Sequence, residues 1–519
     1  MEEGENLRFK KAILLLLVML LSCGLLLGCG SDKEVQTEKD KVPQELVIGI
    51  GRDFYDGPET GNFLHPSTGV WESLTYPGED LEPVKQLATK ITADNTNKVW
   101  TVILREGVKF HDDSSLNADA VVKSVMRLKN NPKLDGYNTF PNLDKVEAVD
   151  DKTVKFTFNR PEPGFAAKVA GKGCPIFSIK SFDEQGKVTH PYGTGPFKFE
   201  NYKKGEELVI TRNDNYWGKK AKLEKVTFKT VSDPSTRLAA LTTGEIDAIV
   251  DVGGVLPEQA STIKDDKNMV LLTQPVTTSH YIIFNNKKEP FKDKNLRKAV
   301  SLSLDRKQLV DKVLSGYGDP ADTIYTPLAK KWVTKGLWKT DKAKAKELAK
   351  VDKTQKVELV VNAALANRWP YKSIAEILQS ELKAFNLDVE IKMVEGAAWG
   401  DTLKKGEYDM TLSPYTLMTG DPDFYFGQWI DSKGQMNKAR GIGYSNSEAD
   451  RLVAEAATGK DMAARQKAYK ELEKLVAEDV PVAPIYNDVC IYAMKKNVKD
   501  LKIDPFFKPS LEKAYRGQA

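Results

Sequence analysis

The sequence predicts a mixed α/β (α+β) fold, and three observations predict it. Strand-like apolar runs alternate with helix-like ones along the whole chain, no repeat period of about 20 to 50 residues recurs, and 41% hydrophobic with 29% charged residues is the balance of a folded protein. A length of 519 residues allows about three structural units at roughly 100–200 residues each. Lysine plus arginine number 77 against 73 aspartate plus glutamate, a net charge of +4, which gives no bulk electrostatic argument for a nucleic-acid partner.

In chain order, residues 46–50 (Leu-Val-Ile-Gly-Ile) read as an opening strand, followed by strands over 100–104 and 153–158 that carry β-branched and aromatic residues. Helices are expected over 118–128, 235–242, 294–302, 369–385 and 461–478, and a further strand over 357–361. Asp233-Pro234 supplies a cap and a first-position proline, Asp305 opens a helix in the same way, and 343–348 is helix-forming with a basic face. Charge-rich stretches of this kind are expected to be solvated faces.

The first residues read as a targeting segment. Arg8, Lys10 and Lys11 precede an apolar run over 12–21, the pattern of a secretory signal. Apolar character continues only to Gly28, broken by Ser22, Cys23 and Gly24, which is short of the roughly 20 residues of a spanning helix. Leu26-Leu27-Gly28-Cys29 resembles a bacterial lipobox, which implies cleavage after residue 28 and lipidation of Cys29. Residues 29–44 are polar and fit a flexible tether.

Chemistry-bearing motifs are sparse. The four cysteines (23, 29, 174, 490) form no C-x-x-C pair, and His65, His111, His190 and His280 show no H-E-x-x-H spacing. A pairing of Cys174 with Cys490 is not fixed by sequence, and unpaired thiols are the expectation. Gly49/Gly51, Gly193/Gly195 and Gly441/Gly443 are isolated G-x-G steps, and neither a Walker loop nor a G-x-S-x-G elbow occurs. No motif proposes catalysis, and the expectation is a binding protein with no catalytic cofactor.

Several stretches, taken together, are similar to the extracellular solute-binding proteins, family 5, of peptide and nickel ABC importers. They are Trp100-Thr101-Val102-Ile103-Leu104-Arg105-Glu106-Gly107-Val108-Lys109-Phe110-His111-Asp112, Gly193-Thr194-Gly195-Pro196-Phe197 and Arg212-Asn213-Asp214-Asn215-Tyr216-Trp217-Gly218. Arg237 with Gly244-Glu245-Ile246-Asp247, Phe284-Asn285-Asn286, and Leu296-Arg297 leading to Asp305-Arg306 come next along the chain. Asp113 departs from the pattern, standing where glycine is usual.

The resemblance implies a two-lobed fold of the type II periplasmic-binding-protein kind, with a two-stranded hinge and an extra subdomain in the first lobe. Lobe one would comprise 45–70, 191–280 and 487–519, the inserted subdomain 71–190 and lobe two 281–486, with crossings near Phe284-Asn285 and Ile485-Tyr486. It also implies a lipid-anchored monomer on the outer face of the cytoplasmic membrane, or in the periplasm, that hands a solute to an ABC permease and its ATPase.

Two cargoes stay open at this stage. Peptide-binding members place an aspartate four residues before the proline of an acidic-proline step; here that step is Asp421-Pro422 and the position holds Met418. A thioether cannot pair with an ammonium group, so nickel or another metal chelate is the first expectation and an oligopeptide or dipeptide the alternative. The chelate branch grips carboxylates with an arginine; in that stretch stands Lys172, a point charge without a planar fork. Trp71, Lys172, Tyr415, Asp421, Phe424 and Trp429 are the expected ligand-binding residues, with Tyr425 beside them and His65 as the expected metal ligand. Trp399, His111 and His280 are expected to be structural.

Overall fold

The computed structural model describes residues 42–53, 66–131, 133–135 and 139–518. Cys29, the leader and His65 lie outside the described residues, as does the side chain of Lys172. All the elements described belong to the unit Gln44–Ala519.

One sheet runs through this unit in the order Leu387–Val394, Gln355–Asn362, Met410–Thr416, Met269–Phe284, Val482–Lys495, Ala248–Ile249, Glu45–Ile50, Lys225–Thr230, Glu207–Arg212 and Phe197–Lys203, with Gly318–Pro320 paired on Val482–Lys495. Parallel strands need a crossover connection, and the parallel pair Gln355–Asn362 and Leu387–Val394 is joined through the helix Tyr371–Leu382, which packs on both. The two long antiparallel strands, Met269–Phe284 and Val482–Lys495, join its two halves. The last seven residues of the first, from Thr278, pair with Met410–Thr416, whereas the second reaches Ala248–Ile249 through Ala493 and Met494. Their register shifts between Pro275 and Ser279 and again at His280/Tyr281. Proline lacks a ladder donor, so Pro275 marks a point where the paired strands can bend.

A separate four-stranded antiparallel sheet, Ala88–Ala93, Val99–Leu104, Thr153–Phe158 and Leu143–Asp150, lies within 71–190. It packs the helix Ala118–Asn130 over its own apolar core of Val102, Val121, Val154, Phe156 and Phe165. The expected helices are present: Pro234–Thr243 starts on Asp233, whose side chain accepts from Thr236 N, and stops at Gly244 with φ +85°. Asp305 caps Arg306–Val313 through Gln308 N. Within 369–385 the α-helix covers Tyr371–Leu382, because Trp369-Pro370 precedes it and proline disfavours α geometry in the residue before it.

The residues of the ordered stretches turn out to be joints. Buried Arg237 donates to the carbonyls of Gly254, Val231 and Ser232, Arg297 to those of Val480, Phe291 and Asp479, and Arg306 to those of Pro484 and Ser301. Asn286 Nδ2 donates to the carbonyls of Phe284, Ile442 and Pro481. Buried Glu72 collects Thr194, Tyr216, Trp217 and Gln86. Each satisfies polar groups that would be costly to bury alone. Asp113 adopts φ +65°, the left-handed region that explains why glycine is the usual residue there. Cys174 and Cys490 are both buried free thiols.

Candidate functional site

Residues of the 71–190 stretch meet residues of 281–486 along a seam of close backbone approaches and ion pairs. A Cβ on Gly420 would fall 2.3 Å from the Leu81 carbonyl oxygen, and Gly420 has φ +71°, so this contact requires glycine on two counts. A Cβ on Gly164 would fall 3.1 Å from Asp421 Oδ2. Glu82 pairs with Lys331 across the same seam.

The buried charges of the seam are paired internally. Lys168 Nζ lies 2.6 Å from Glu162 Oε1 and 3.0 Å from Asp423 Oδ2, with all three side chains buried. Burial opposes the Lys168 charge, but Asp423 and Glu162 outweigh it and raise its pKa above the ordinary lysine value. Burial pushes the Asp423 carboxyl up, and the fields of Lys168 and Arg465 overcome it and hold the group below its usual range. Asp421 is gripped by Arg465, with Nη1 to Oδ2 and Nη2 to Oδ1 both at 2.8 Å, the two-pronged geometry a guanidinium offers a carboxylate.

Beside these pairs opens a cavity of about 260 Å³ whose lining includes Asn142, Arg160 and Lys168 from one side and Asp423, Phe424, Gln428 and Asp431 from the other. Arg160 Nε and Nη2 lie 2.7 and 2.9 Å from the Asn142 side-chain amide when its oxygen is turned toward them. Its Nη1 has no hydrogen-bond partner among the described residues, and its charge helps to hold the Asp423 carboxyl down. A smaller cavity of about 80 Å³ touches Glu82, Gly164, Trp332, Thr419, Asp421 and Arg465. A larger one of about 680 Å³ lies against Pro275, Val276 and Asn487 to Val489 of the two long strands, with Thr326 to Leu328 and Lys330 opposite. Only the first two combine side chains from both sequence stretches.

The expected site residues do not share one cavity. Phe424 is half-buried and lines the 260 Å³ cavity, while Asp421 stands in the neighbouring one with both oxygens held by Arg465. Tyr415 and Trp429 are buried in an aromatic layer with Tyr425 and Tyr281, the Tyr415 ring 4.9 Å from Tyr425 and 5.3 Å from Trp429. The Tyr415 hydroxyl is buried and has no hydrogen-bond partner among the described residues. Trp71 lies apart from the seam cavities, against Phe177 and Val188. Lys172 contributes backbone to the short turn Gly171–Gly173.

His280 is fully buried, its Nδ1 2.8 Å from the Tyr371 hydroxyl and its ring stacked on Tyr486. Burial lowers its pKa against the pull of Asp488. Trp399 is buried too, donating to Thr411 Oγ1. Nothing in the sequence singles out Arg160, Lys168, Asp423 and Arg465. They are ordinary charged residues scattered along the chain, and only Asp423, two residues after Asp421, adjoins an expected site.

Two halves joined by a pair of long strands, meeting over a small charged cavity, define a two-lobed solute-binding fold of the type II periplasmic kind. The chain belongs to the bacterial extracellular solute-binding proteins, family 5, whose family profile (the "Middle" region) matches residues 82–437. Glutathione-binding protein GsiB of Salmonella typhi is 26% identical over 480 residues, covering 89% of this chain and 92% of that protein. The probable D,D-dipeptide-binding periplasmic protein DdpA of Escherichia coli K12 is 27% identical over 512 residues, covering 91% and 94%. Among solved structures, NikA from Brucella suis in complex with Fe(III)-EDTA matches with TM-score 0.81 at 22% identity, covering 91% of this chain and 99% of that one; at this identity the likeness is one of fold. The protein is thus a substrate-binding protein of the ABC-importer type, from an extracellular or periplasmic family that binds solutes and works with permease and ATPase components.

Proposed function

We propose that the protein captures a short peptide or peptide-like molecule in the seam and presents it, lobes closed, to its permease. The observation that carries this reading is the 260 Å³ cavity with Arg160 on one wall and Asp423 and Asp431 on the other. Arg160 has an edge suited to a carboxylate, Asp431 a carboxylate suited to an ammonium or amide, and the half-buried Phe424 ring a face for a side chain. Tyr415, Trp429 and Tyr425 form the layer behind it, and Asp421 holds Arg465 in place rather than meeting the ligand. Closure removes the ligand from water, so each of these fixed polar groups counts for more than at a surface. GsiB, named for glutathione binding, and DdpA, named as a probable D,D-dipeptide binder, support the same class of cargo.

Nickel or another metal chelate is the second reading, favoured by the same Arg160 edge, since a chelator presents carboxylates. Among the described residues no group of three His, Cys, Asp or Glu side chains is arranged to hold a metal ion, so such a cargo would bring its own ligands, with His65 the one residue proposed to join them. In both readings Cys29 carries the lipid anchor, and the chain acts as a monomer whose lobes hinge on the strands around Pro275 and Asn487.

Thermal unfolding with a panel of dipeptides, tripeptides, glutathione, nickel-histidine and nickel-free chelators tests the reading, because a ligand of the native state stabilises as RT ln(1 + [L]/Kd). Stabilisation by a peptide that is lost in Arg160→Ala supports it. Stabilisation by a nickel chelate alone transfers the site to the second reading.

A further inference from the structure

A second cavity, of about 720 Å³, lies away from the seam, where the segment after the strand Met269–Phe284 meets the ends of two helices. Five lysines line it, Lys287, Lys288, Lys404, Lys405 and Lys438, and no carboxylate does. In a chain whose acids nearly balance its bases, five ammonium groups around one hollow is a local excess that the net charge of +4 does not foreshadow.

The hollow is built by glycines. Gly441 and Gly443, the G-x-G step for which the transport function gives no use, have φ of +58° and +69°. A Cβ on Gly441 would fall 2.1 Å from the Leu403 carbonyl oxygen, and one on Gly443 within 2.8 to 3.2 Å of the Lys287 stem. The step therefore lets the 440–444 loop sit directly on the helix Gly396–Lys405 and lays the Lys287 side chain along the loop backbone. Asn285 Nδ2 ties the third segment in by donating to the carbonyls of Gly406 and Tyr408.

Lys288 is paired with Asp409 at 2.8 Å. The other four lysines have no acidic partner among the described residues. Glu289 and Glu407 adjoin the rim in sequence, but neither lines the cavity. Lysines near helix C-termini also complement the helix dipole, which accounts for Lys404, Lys405 and Lys438. It does not account for Lys287 and Lys288, which come from a loop, nor for the convergence of all five on one concavity. Clustered like charges repel, and a bound anion relieves that repulsion.

We propose that this cavity is a binding site for phosphate groups, separate from the transport site. The phosphate belongs either to an anionic lipid headgroup, which would orient the receptor on a membrane, or to a soluble polyphosphate. Ammonium groups on flexible stems bind phosphate as point charges from several directions. The site stands whether or not the seam takes peptides.

The test is isothermal titration of the full chain in detergent at low salt with two probes, inorganic pyrophosphate and glycerophosphoglycerol, the water-soluble headgroup of an anionic phospholipid. The wild type is expected to bind at least one probe, with an affinity that falls as salt rises. The variant Lys404→Gln/Lys405→Gln/Lys438→Gln is expected to weaken binding by an order of magnitude or more while its melting temperature and its response to the seam-ligand panel stay unchanged. The probe that binds identifies the source of the phosphate. Binding of neither probe, or equal binding by the variant, overturns the proposal; Lys405→Glu alone gives the same comparison should the triple variant fold poorly.

Discussion

The seam and the lysine-lined cavity treat charge in opposite ways. In the seam Lys168, Glu162, Asp423, Asp421 and Arg465 are buried, and every one has an opposite charge within 3.0 Å. In the lysine cavity the side chains are exposed and four of five have no acidic partner among the described residues. Burial explains the difference: an ion removed from water must be paired, because its desolvation costs several kcal/mol, whereas an exposed one is solvated and screened. Buried charge in the first region therefore acts on closure and stability, leaving the half-buried Arg160 and Asp431 to meet a ligand, and charge in the second region acts on whatever arrives from solution.

The sharpest way to break this contrast is Lys168→Met, which leaves the Glu162 and Asp423 carboxylates buried without their shared cation. It should cost about 3–5 kcal/mol in urea unfolding, and adding Asp423→Asn should recover part of it. A loss below ~1 kcal/mol would mean that the seam is as well hydrated as the lysine cavity.

Glu473 sharpens the comparison because it is buried without a salt-bridge partner, and burial pushes its carboxyl from 4.5 up to about 7. The folded chain keeps this proton up to about pH 7, whereas the unfolded chain releases it near 4.5. Glu473 thus contributes stability that is greatest below pH 4.5 and declines as pH rises toward 7, a span on the order of 3 kcal/mol. Wild type minus Glu473→Gln, measured as unfolding free energy against pH, should show this decline. The subtraction removes His280, whose lowered pKa contributes a slope of the opposite sign.

Gly420→Ala pushes a methyl group into the Leu81 carbonyl and strains a left-handed backbone. We expect a loss of about 1–3 kcal/mol and a shift toward an open form, visible as an increased radius of gyration in solution scattering. Arg160→Ala should weaken ligand binding by about tenfold, the size of one charge-assisted hydrogen bond, with little change in melting temperature, since Arg160 is only half-buried. The smallest effect belongs to the triple glutamine variant of the lysine cavity, whose stability should stay within about 0.5 kcal/mol of wild type.

The elements and the joints are legible in the sequence for different reasons. Helices such as Pro234–Thr243 and Arg306–Val313 carry local start signals in Asp233-Pro234 and Asp305, and local signals survive without tertiary information. The ordered stretches identify the family, yet Arg237, Arg297 and Arg306 serve backbone carbonyls deep in the fold and touch neither seam cavity. For the site, Phe424 is found because it lies just past the Asp421-Pro422 step. Lys168 and Arg160 are missed because nothing local separates a lysine destined for burial from the solvated lysines around it.

Sequence alone determined the mixed α/β class, the caps, the family and the expectation of a capture protein rather than an enzyme, all of which rest on short-range patterns or on their order along the chain. Tertiary structure decided which charges meet: that Asp421 spends both oxygens on Arg465, that Lys168 bridges Glu162 to Asp423 across the seam, and that five lysines surround one hollow. Those pairings join residues far apart in the chain, as with Lys168 and Asp423. Their energies depend on burial and distance, which a one-dimensional pattern does not contain.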